Sequence, residues 1–267
     1  MSRHGWILAV MAFAISANAQ ALVIDSFGLD QGPYTDSTPG GGSEKTITGG
    51  VGGEIVSLSS LDVIGGARDL WTSMISGSGM STVEVSAGTL NFSTTAGTVG
   101  RAQVQWDGFD GSSAIDATGL GGIDFLFGGS DMSLHVSTNA GFLLELSLYT
   151  DATRWTTVSR MTTAGSASYL FPFADFNTPT LCGMGSVTCG TVGGVETSNV
   201  GAVVLDINRL STAGLEASIG PLSVVPEPEM LYLFGIGMLA ALVRHRPRPR
   251  GRAAGSIGSE PLGFTNQ

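Results

Sequence analysis

The sequence predicts an all-β protein with a single β-sandwich domain of jelly-roll type, and its composition is the first reason. Gly, Ser and Thr together make 95 of the 267 residues, and charged residues make only 13%. Helices of soluble proteins are rich in Glu, Lys and Arg, whereas this composition suits short strands joined by tight turns. A hydrophobic content of 42% also excludes a disordered chain.

Eleven short β-favouring segments are the second reason. In Arg101–Trp106 the even positions are apolar and the odd positions polar, which is typical of a half-buried strand. No segment shows a convincing helical pattern, and Gly-rich turns separate the strands. The predicted strands are Asp69–Ile75, Thr82–Val85, Thr89–Thr94, Ala102–Trp106, Ile123–Phe127, Ser133–Ser137, Phe142–Tyr149, Arg154–Ser159, Ser168–Phe173, Ala202–Ile207 and Leu215–Ile219.

Residues 1–19 have the pattern of a secretory signal peptide. Arg3 gives a positive start, Trp6–Ile15 is a ten-residue apolar core, and Ala17-Asn18-Ala19 is a cleavage site of A-x-A type. Ten apolar residues are too few to span a bilayer. We therefore expect export through the Sec machinery and a domain that comprises residues 20–224.

A second apolar segment lies near the C-terminus. Pro226-Glu227-Pro228 precedes Met230–Val243, fourteen uncharged residues that we interpret as a short transmembrane helix. About 21 Å of helix is short for a bilayer core of about 30 Å. Basic residues directly behind it argue for a membrane span with a cytoplasmic basic side and against a buried core helix. These residues are Arg244, Arg246, Arg248, Arg250 and Arg252, and a polar tail, residues 253–267, follows them.

This order of three parts resembles the PEP-CTERM sorting signal of exported bacterial proteins. The matching residues are Pro226, Glu227 and Pro228, the span 230–243, and the arginines that begin with Arg244, Arg246 and Arg248, so that the signal occupies residues 225–252. The resemblance implies recognition by an exosortase, transient anchoring in the inner membrane with the domain on the periplasmic side, and then transfer to the cell surface or the exterior. It also implies a setting that is rich in exopolysaccharide.

The charge distribution agrees with this topology. Residues 20–225 contain 19 acidic and 6 basic residues, a net charge of −13, whereas the part from Glu227 onward carries a net charge of +2. A domain this acidic repels phosphate backbones, which excludes nucleic acid as a partner.

A further resemblance, to galactose-binding-like jelly rolls, lies within the exported domain. It rests on Ile24-Asp25-Ser26-Phe27, on Phe173-Ala174-Asp175-Phe176 and on the late strand within Ser198–Ile207. It implies a β-sandwich from a lineage that contains sugar binders. Five aromatic side chains could stack on sugar rings, although aromatic residues within strands pack more often in the core. These are Trp71, Trp106, Trp155, Tyr149 and Tyr169.

One pair of cysteines and two sets of aspartates are candidates for a disulfide and for metal binding. Cys182 and Cys189 are the only cysteines, and in an oxidising exterior we expect a disulfide, with free thiols as the alternative. Asp107, Asp110 and Asp116 form a Gly-containing acidic loop that would suit Ca²⁺ as a cofactor, with an ordinary turn as the alternative. A second acidic set for the same ion is Asp25, Asp30 and Asp36.

The sequence gives no specific signal for a hydrolase, since a domain with 19 carboxylates always offers some pair that would suit glycoside hydrolysis. His135 is the only histidine of the domain; its position opposite Leu134 and Val136 predicts that it faces solvent, and no G-x-S-x-G elbow accompanies it. The sequence therefore predicts an exported surface or matrix protein with a structural or binding role and no catalytic residues. The alternative is a carbohydrate-binding module that acts on exopolysaccharide, and the second alternative is a secreted hydrolase.

Overall fold

The structure is a computed structural model that describes residues 21–40, 63–109 and 114–225, and the backbone of residues 43–45. The predicted signal peptide, the sorting signal from Pro226 onward, the tail and Asp110 lie outside the described residues. Among the residues that are described, no helix is long and apolar enough to cross a membrane.

The described chain consists mainly of strands. The single α-helix within the described ranges, α1 (Phe173–Asn177), has five residues. The strands are β1 (Leu22–Asp25), β2 (Gln31–Asp36), β3 (Ser43–Lys45), β4 (Asp69–Ser76), β5 (Ser81–Ser86), β6 (Thr89–Thr94), β7 (Val99–Trp106), β8 (Asp131–Thr138), β9 (Leu143–Tyr149), β10 (Trp155–Met161), β11 (Gly165–Pro172), β12 (Val187–Cys189), β13 (Ala202–Ile207), β14 (Glu216–Ile219) and β15 (Leu222–Val225).

These strands form two antiparallel sheets. The first sheet has the order β1-β15-β8-β14-β6-β5-β2, with β11 added on the free side of β8. β14 and β15 both pair with β8 and are separated by Gly220 and Pro221, so they form one interrupted line in the sheet. The second sheet has the order β12-β10-β9-β13-β7-β4-β3.

The core lies between the two sheets because alternate residues of each strand are apolar. On β9 the side chains of Leu144, Leu146 and Leu148 are fully buried, and Val104 and Trp106 on β7 join the same cluster. Each such side chain contributes about 1.5–3 kcal/mol through burial. The prediction of an all-β sandwich is confirmed.

One predicted strand is wrong. Ile123–Phe127 forms a 3-10 turn at Phe125–Phe127, and only Ile123 makes an isolated bridge, to Val200. The Asp124 carboxylate accepts a hydrogen bond from the Leu126 amide at 2.9 Å and the Gly128 amide donates to the Phe125 carbonyl at 3.1 Å. These local bonds favour the turn over an extended chain, although the residues have high β-propensity.

A buried ion pair connects β1 to the start of β4. Nη1 of Arg68 lies 3.0 and 2.9 Å from the two carboxylate oxygens of Asp25, and both side chains are almost fully buried. Asp25 also accepts hydrogen bonds from the Phe27 amide at 2.7 Å and from Nε1 of Trp106 at 2.8 Å. Asp25 is therefore a structural acceptor between the sheets.

Candidate functional site

On the side of the second sheet that faces away from the core, polar side chains contact one another in a row across the strands. We call the outward side chains of β4, β7, β9, β10 and β13 the polar face. On β7 the alternation of side chains places Arg101, Gln103 and Gln105 on the side away from the core positions Ala102 and Val104. Arg101 and Gln103 are half-buried, and Gln105 is almost fully buried. The register brings residues that are far apart in sequence into rows that run across the strands.

One row begins with two glutamines and an aspartate. Nε2 of Gln105 donates to Oε1 of Gln103 at 2.7 Å, and Nε2 of Gln103 donates to Oδ1 of Asp206 at 3.0 Å. Gln103 and Asp206 are directly opposite each other on β7 and β13. The row therefore connects adjacent strands through side chains and fixes the orientation of both amides.

The same row continues over two more strands. Glu145 on β9 lies opposite Asp206, and Arg209 bridges both carboxylates, with Nε 3.1 Å from Glu145 and Nη1 3.8 Å from Asp206. Oγ of Ser159 on β10 donates to Oε1 of Glu145 at 2.9 Å. A row of hydrogen bonds and ion pairs thus crosses β7, β13, β9 and β10, and Arg209 is the link between its two halves.

Aromatic side chains accompany this row. Tyr149 and Trp155 are a cross-strand pair on β9 and β10 with ring centroids 6.2 Å apart. Trp71 on β4 lies opposite Gln103, and the Arg101 guanidinium covers its ring at 4.6 Å. Nε1 of Trp71 is buried and has no hydrogen-bond partner within the described part of the chain. A buried donor of this kind calls for an acceptor such as a water or a ligand oxygen.

Burial controls the protonation of two groups on the polar face. It raises the pKa of Asp206, and the positive charge of Arg209 and the hydrogen bond from Gln103 oppose this rise. Burial also raises the pKa of the Tyr149 hydroxyl, and the neighbouring Asp206 charge adds to the effect. Tyr149 is therefore a neutral hydroxyl at physiological pH.

Three of the five aromatic residues that the sequence singled out are on the polar face, and two are not. Trp106 is fully buried and its Nε1 donates to Asp25, so it is a core residue and not a sugar-stacking one. Tyr169 on β11 packs against the core, and its hydroxyl accepts a hydrogen bond from the Thr163 amide at 3.1 Å.

His135 faces solvent on the first sheet, as predicted. Its Nε2 lies 2.7 Å from Oγ of Ser166 and its Nδ1 lies 3.2 Å from Oγ of Ser168, both on the neighbouring strand β11. His135 is on the opposite sheet from the polar face, so the two surfaces do not form one site.

The acidic loop gives no metal centre within the described residues, where no group of three potential ligands converges. Asp107 is buried and its Oδ2 accepts from the Asp116 amide at 2.9 Å, while Oδ1 of Asp116 accepts from the Thr118 amide. Asp110, the remaining member of the predicted Ca²⁺ set, lies outside the described residues.

The second acidic set is dispersed. Asp25 pairs with Arg68, whereas Asp36 accepts from the Met74 amide at 2.8 Å and Asp30 accepts from the Ala87 amide at 3.2 Å. Each carboxylate thus has its own hydrogen bond to the fold.

Cys182 and Cys189 form the predicted disulfide. The bond ties the end of the short edge strand β12 to the loop that precedes it, next to β10. It therefore stabilises the margin of the second sheet beside the strand that carries Trp155.

No family model and no curated protein matches the chain at a significant level. Among solved structures, the chain is similar to PfGH50B, with 11% identity, 59% of this chain and 22% of that chain covered, and a TM-score of 0.36. It is similar to the family 11 carbohydrate-binding module of Clostridium thermocellum in complex with a β-1,3-1,4-mixed-linked tetrasaccharide, with 12% identity, 79% and 98% covered, and a TM-score of 0.34. A family 29 carbohydrate-binding module complexed with mannohexaose gives 10% identity, 73% and 95% covered, and a TM-score of 0.31. Similarity at this level carries no argument about ligand or activity, which have to be inferred from the polar face.

Proposed function

We propose that this chain is an exported, non-catalytic protein whose β-sandwich binds carbohydrate through the polar face. The observation that carries the proposal is the row of hydrogen bonds and ion pairs across four strands, accompanied by the Tyr149–Trp155 pair and by Trp71. Sugar rings present an apolar face and a rim of hydroxyls, so they fit a surface with aromatic side chains beside fixed donors and acceptors. The row holds its amides and carboxylates in place before any ligand arrives, which reduces the entropy lost on binding.

The charges favour a neutral polysaccharide. Arg209 contacts both carboxylates of the row, and the domain as a whole has a net charge of −13. An anionic polymer would be repelled by this domain. Neutral hydroxyls can accept from the partly exposed Gln103 amide and can donate to the partly exposed Glu145 carboxylate, while the buried Asp206 holds Gln103 in place.

Native gel electrophoresis in gels that contain a soluble neutral glucan, mannan or galactan tests this proposal. We expect retardation in at least one gel, and Trp155→Ala should weaken the affinity about tenfold or more, equivalent to about 1.4 kcal/mol. His135→Ala, on the other sheet, is the matched control and should bind like the wild type. Equal binding by wild type and Trp155→Ala would refute the polar face as the site. If no glycan retards the wild type, a structural surface role takes the place of binding.

The secreted hydrolase is the second alternative, and the same reagents test it. Glu145 and Asp206 are neighbouring carboxylates, the residue types that glycoside hydrolysis requires. We propose that these carboxylates orient the ligand and do not catalyse hydrolysis, because the Arg209 guanidinium pairs with both of them. Release of reducing ends from the retained polysaccharide, abolished by Glu145→Gln, would replace binding by hydrolysis.

We further propose that the chain is sorted by an exosortase after Sec export. The proposal rests on the signal peptide pattern of residues 1–19 and on Pro226-Glu227-Pro228 with the span and arginines behind it. The prolines hold the cleavage region extended, and Glu227 keeps it out of the lipid. Glu227→Ala should insert normally but stay unprocessed. If the mature wild-type protein keeps residues 244–267 in both the membrane and the external fraction, a simple tail anchor replaces sorting.

The jelly-roll topology and the descent from galactose-binding-like domains are part of the same proposal. The two antiparallel sheets are compatible with both, and the assignment of the ligand does not depend on either.

A further inference from the structure

Two large apolar side chains protrude from a hydrogen-bonded turn at one end of the sandwich. Leu126 is 52% exposed and Phe127 is 93% exposed, the highest value among the exposed large apolar residues. Their neighbour Phe125 is fully buried, with its ring 6.3 Å from that of Phe173. The hydrogen bonds from Leu126 to Asp124 and from Gly128 to Phe125 fix the turn. We call Leu126 and Phe127 the apolar tip.

The apolar tip lies at the end of the sandwich where the described chain both begins and ends. Gly128 follows the tip directly, and a Cβ atom placed on it would be 2.7 Å from Cβ of Leu22 and 3.2 Å from Cβ of Val224. Leu22 and Val224 face each other on β1 and β15. The tip is therefore beside the point at which the chain leaves the domain towards Met230.

The length of chain that follows sets how far this end can be from a membrane. Five Cα-to-Cα steps separate Val225 from Met230, and fully extended they span about 18 Å at most. If residues 230–243 are in the bilayer, the end of the domain that holds Val225 is kept within about 18 Å of the lipid surface. Side chains that protrude from this end then reach the interfacial region.

We infer that the apolar tip inserts into the membrane interface while the chain is anchored, and that it sets the orientation of the domain on the lipid. The inference rests on the proposed anchoring by residues 230–243. Leu and Phe gain free energy in this region by burying apolar surface. Because the domain is strongly acidic, electrostatic attraction to anionic lipid does not hold it on the membrane. The small apolar tip can contact lipid while the carboxylates of the domain stay in water.

Photocrosslinking of the full chain in vesicles of phosphatidylethanolamine and phosphatidylglycerol tests this inference. Phe127 is replaced by p-benzoylphenylalanine, and the lipid adducts that form on illumination are quantified by mass spectrometry. The matched control has the same residue in place of Leu210, which is 60% exposed and follows β13. β13 begins beside the tip, since the Phe125 amide donates to Thr197 and Ile123 bridges Val200, so Leu210 lies at the far end.

We expect at least tenfold more lipid adduct at position 127 than at position 210 in chains that float with the vesicles. Equal adduct at both positions, or none at 127, in floating chains would overturn the inference and leave the anchoring intact. Chains that do not float would overturn the anchoring and the inference together, so the two failures are distinguishable. Both positions are exposed, so the probe does not disturb the core.

Discussion

Replacement of Arg68 by Met should remove a large part of the stability of the domain. Arg68 donates to both oxygens of Asp25, to the Leu29 carbonyl at 2.7 Å and to Oε1 of Gln31 at 2.8 Å. Arg68→Met leaves the Asp25 carboxylate buried without its cation. Removing one partner of a buried pair costs about 3–5 kcal/mol, against a total of about 5–15 kcal/mol for a domain. For a domain of this size we expect a fall in Tm of roughly 6–20 °C.

The pH dependence of this loss identifies its cause. Burial raises the pKa of Asp25, and Arg68 is the main charge that opposes this rise. In Arg68→Met the folded-state pKa of Asp25 rises further above its unfolded value. When the pKa of a carboxyl is higher in the folded state than in the unfolded state, its protonated form stabilises the fold. This stabilisation is complete below the unfolded-state pKa and is lost as the pH rises through the folded-state pKa. The variant should therefore regain stability relative to the wild type as pH falls from 7 towards 4.

Urea titration followed by tryptophan fluorescence at pH 7 and at pH 4.5 measures both effects. The double variant Asp25→Asn with Arg68→Met is the control, because a neutral amide has no charge to leave unpaired. It should be more stable at pH 7 than Arg68→Met alone and should show a smaller pH dependence. A loss of less than 1 kcal/mol in Arg68→Met at pH 7, or a gap that widens in acid, would refute this reasoning.

Three further predictions concern the disulfide, the polar face and the topology. Serine at both Cys182 and Cys189 should lower the free energy of unfolding by about 2–3 kcal/mol, because the unfolded chain loses an eight-residue loop closure; an unchanged urea midpoint would contradict this. Glycan retention should fall as Asp206 is protonated, and because burial raises the pKa of Asp206, the fall should begin at a higher pH than for an exposed aspartate. Asp206→Asn should flatten the dependence of retention on pH. A wild-type dependence that is already flat would exclude a role of Asp206 in binding. Alkaline phosphatase fused after Ser223 should be active and after Arg252 inactive, and the reverse activities would overturn the proposed orientation.

Local patterns in the sequence were sufficient for the strands whose residues alternate or are β-favouring throughout. Thr89–Thr94 and Ala202–Ile207 were predicted with the bounds that the structure shows. The alternation in Arg101–Trp106 correctly put the even positions in the core, and it is the pattern that removes Trp106 from the sugar-stacking residues. In contrast, β1 and β15 have only four residues each and were missed. Four residues are too few for a period to appear, and β14, which is equally short, was predicted only because β-favouring residues precede and fill it.

The members of the polar face that matter most were not selected from the sequence. Gln103 and Gln105 were visible as the polar half of a strand, but Asp206, Glu145 and Arg209 had no local feature that separated them from other charged residues. They come together because β13 pairs with both β7 and β9, which puts Gln103 beside a residue 103 positions away.

The sequence by itself determined that this protein is an all-β sandwich, because side-chain alternation is a property of residues two apart and needs no knowledge of the rest of the chain. It also singled out the two cysteines, whose pairing the structure confirms. The tertiary structure alone decided which outward faces share a sheet, and hence which polar residues form one row. Strand order depends on the packing of the whole core. Two strands that are distant in sequence pair only when the chain between them is also ordered, which costs conformational entropy.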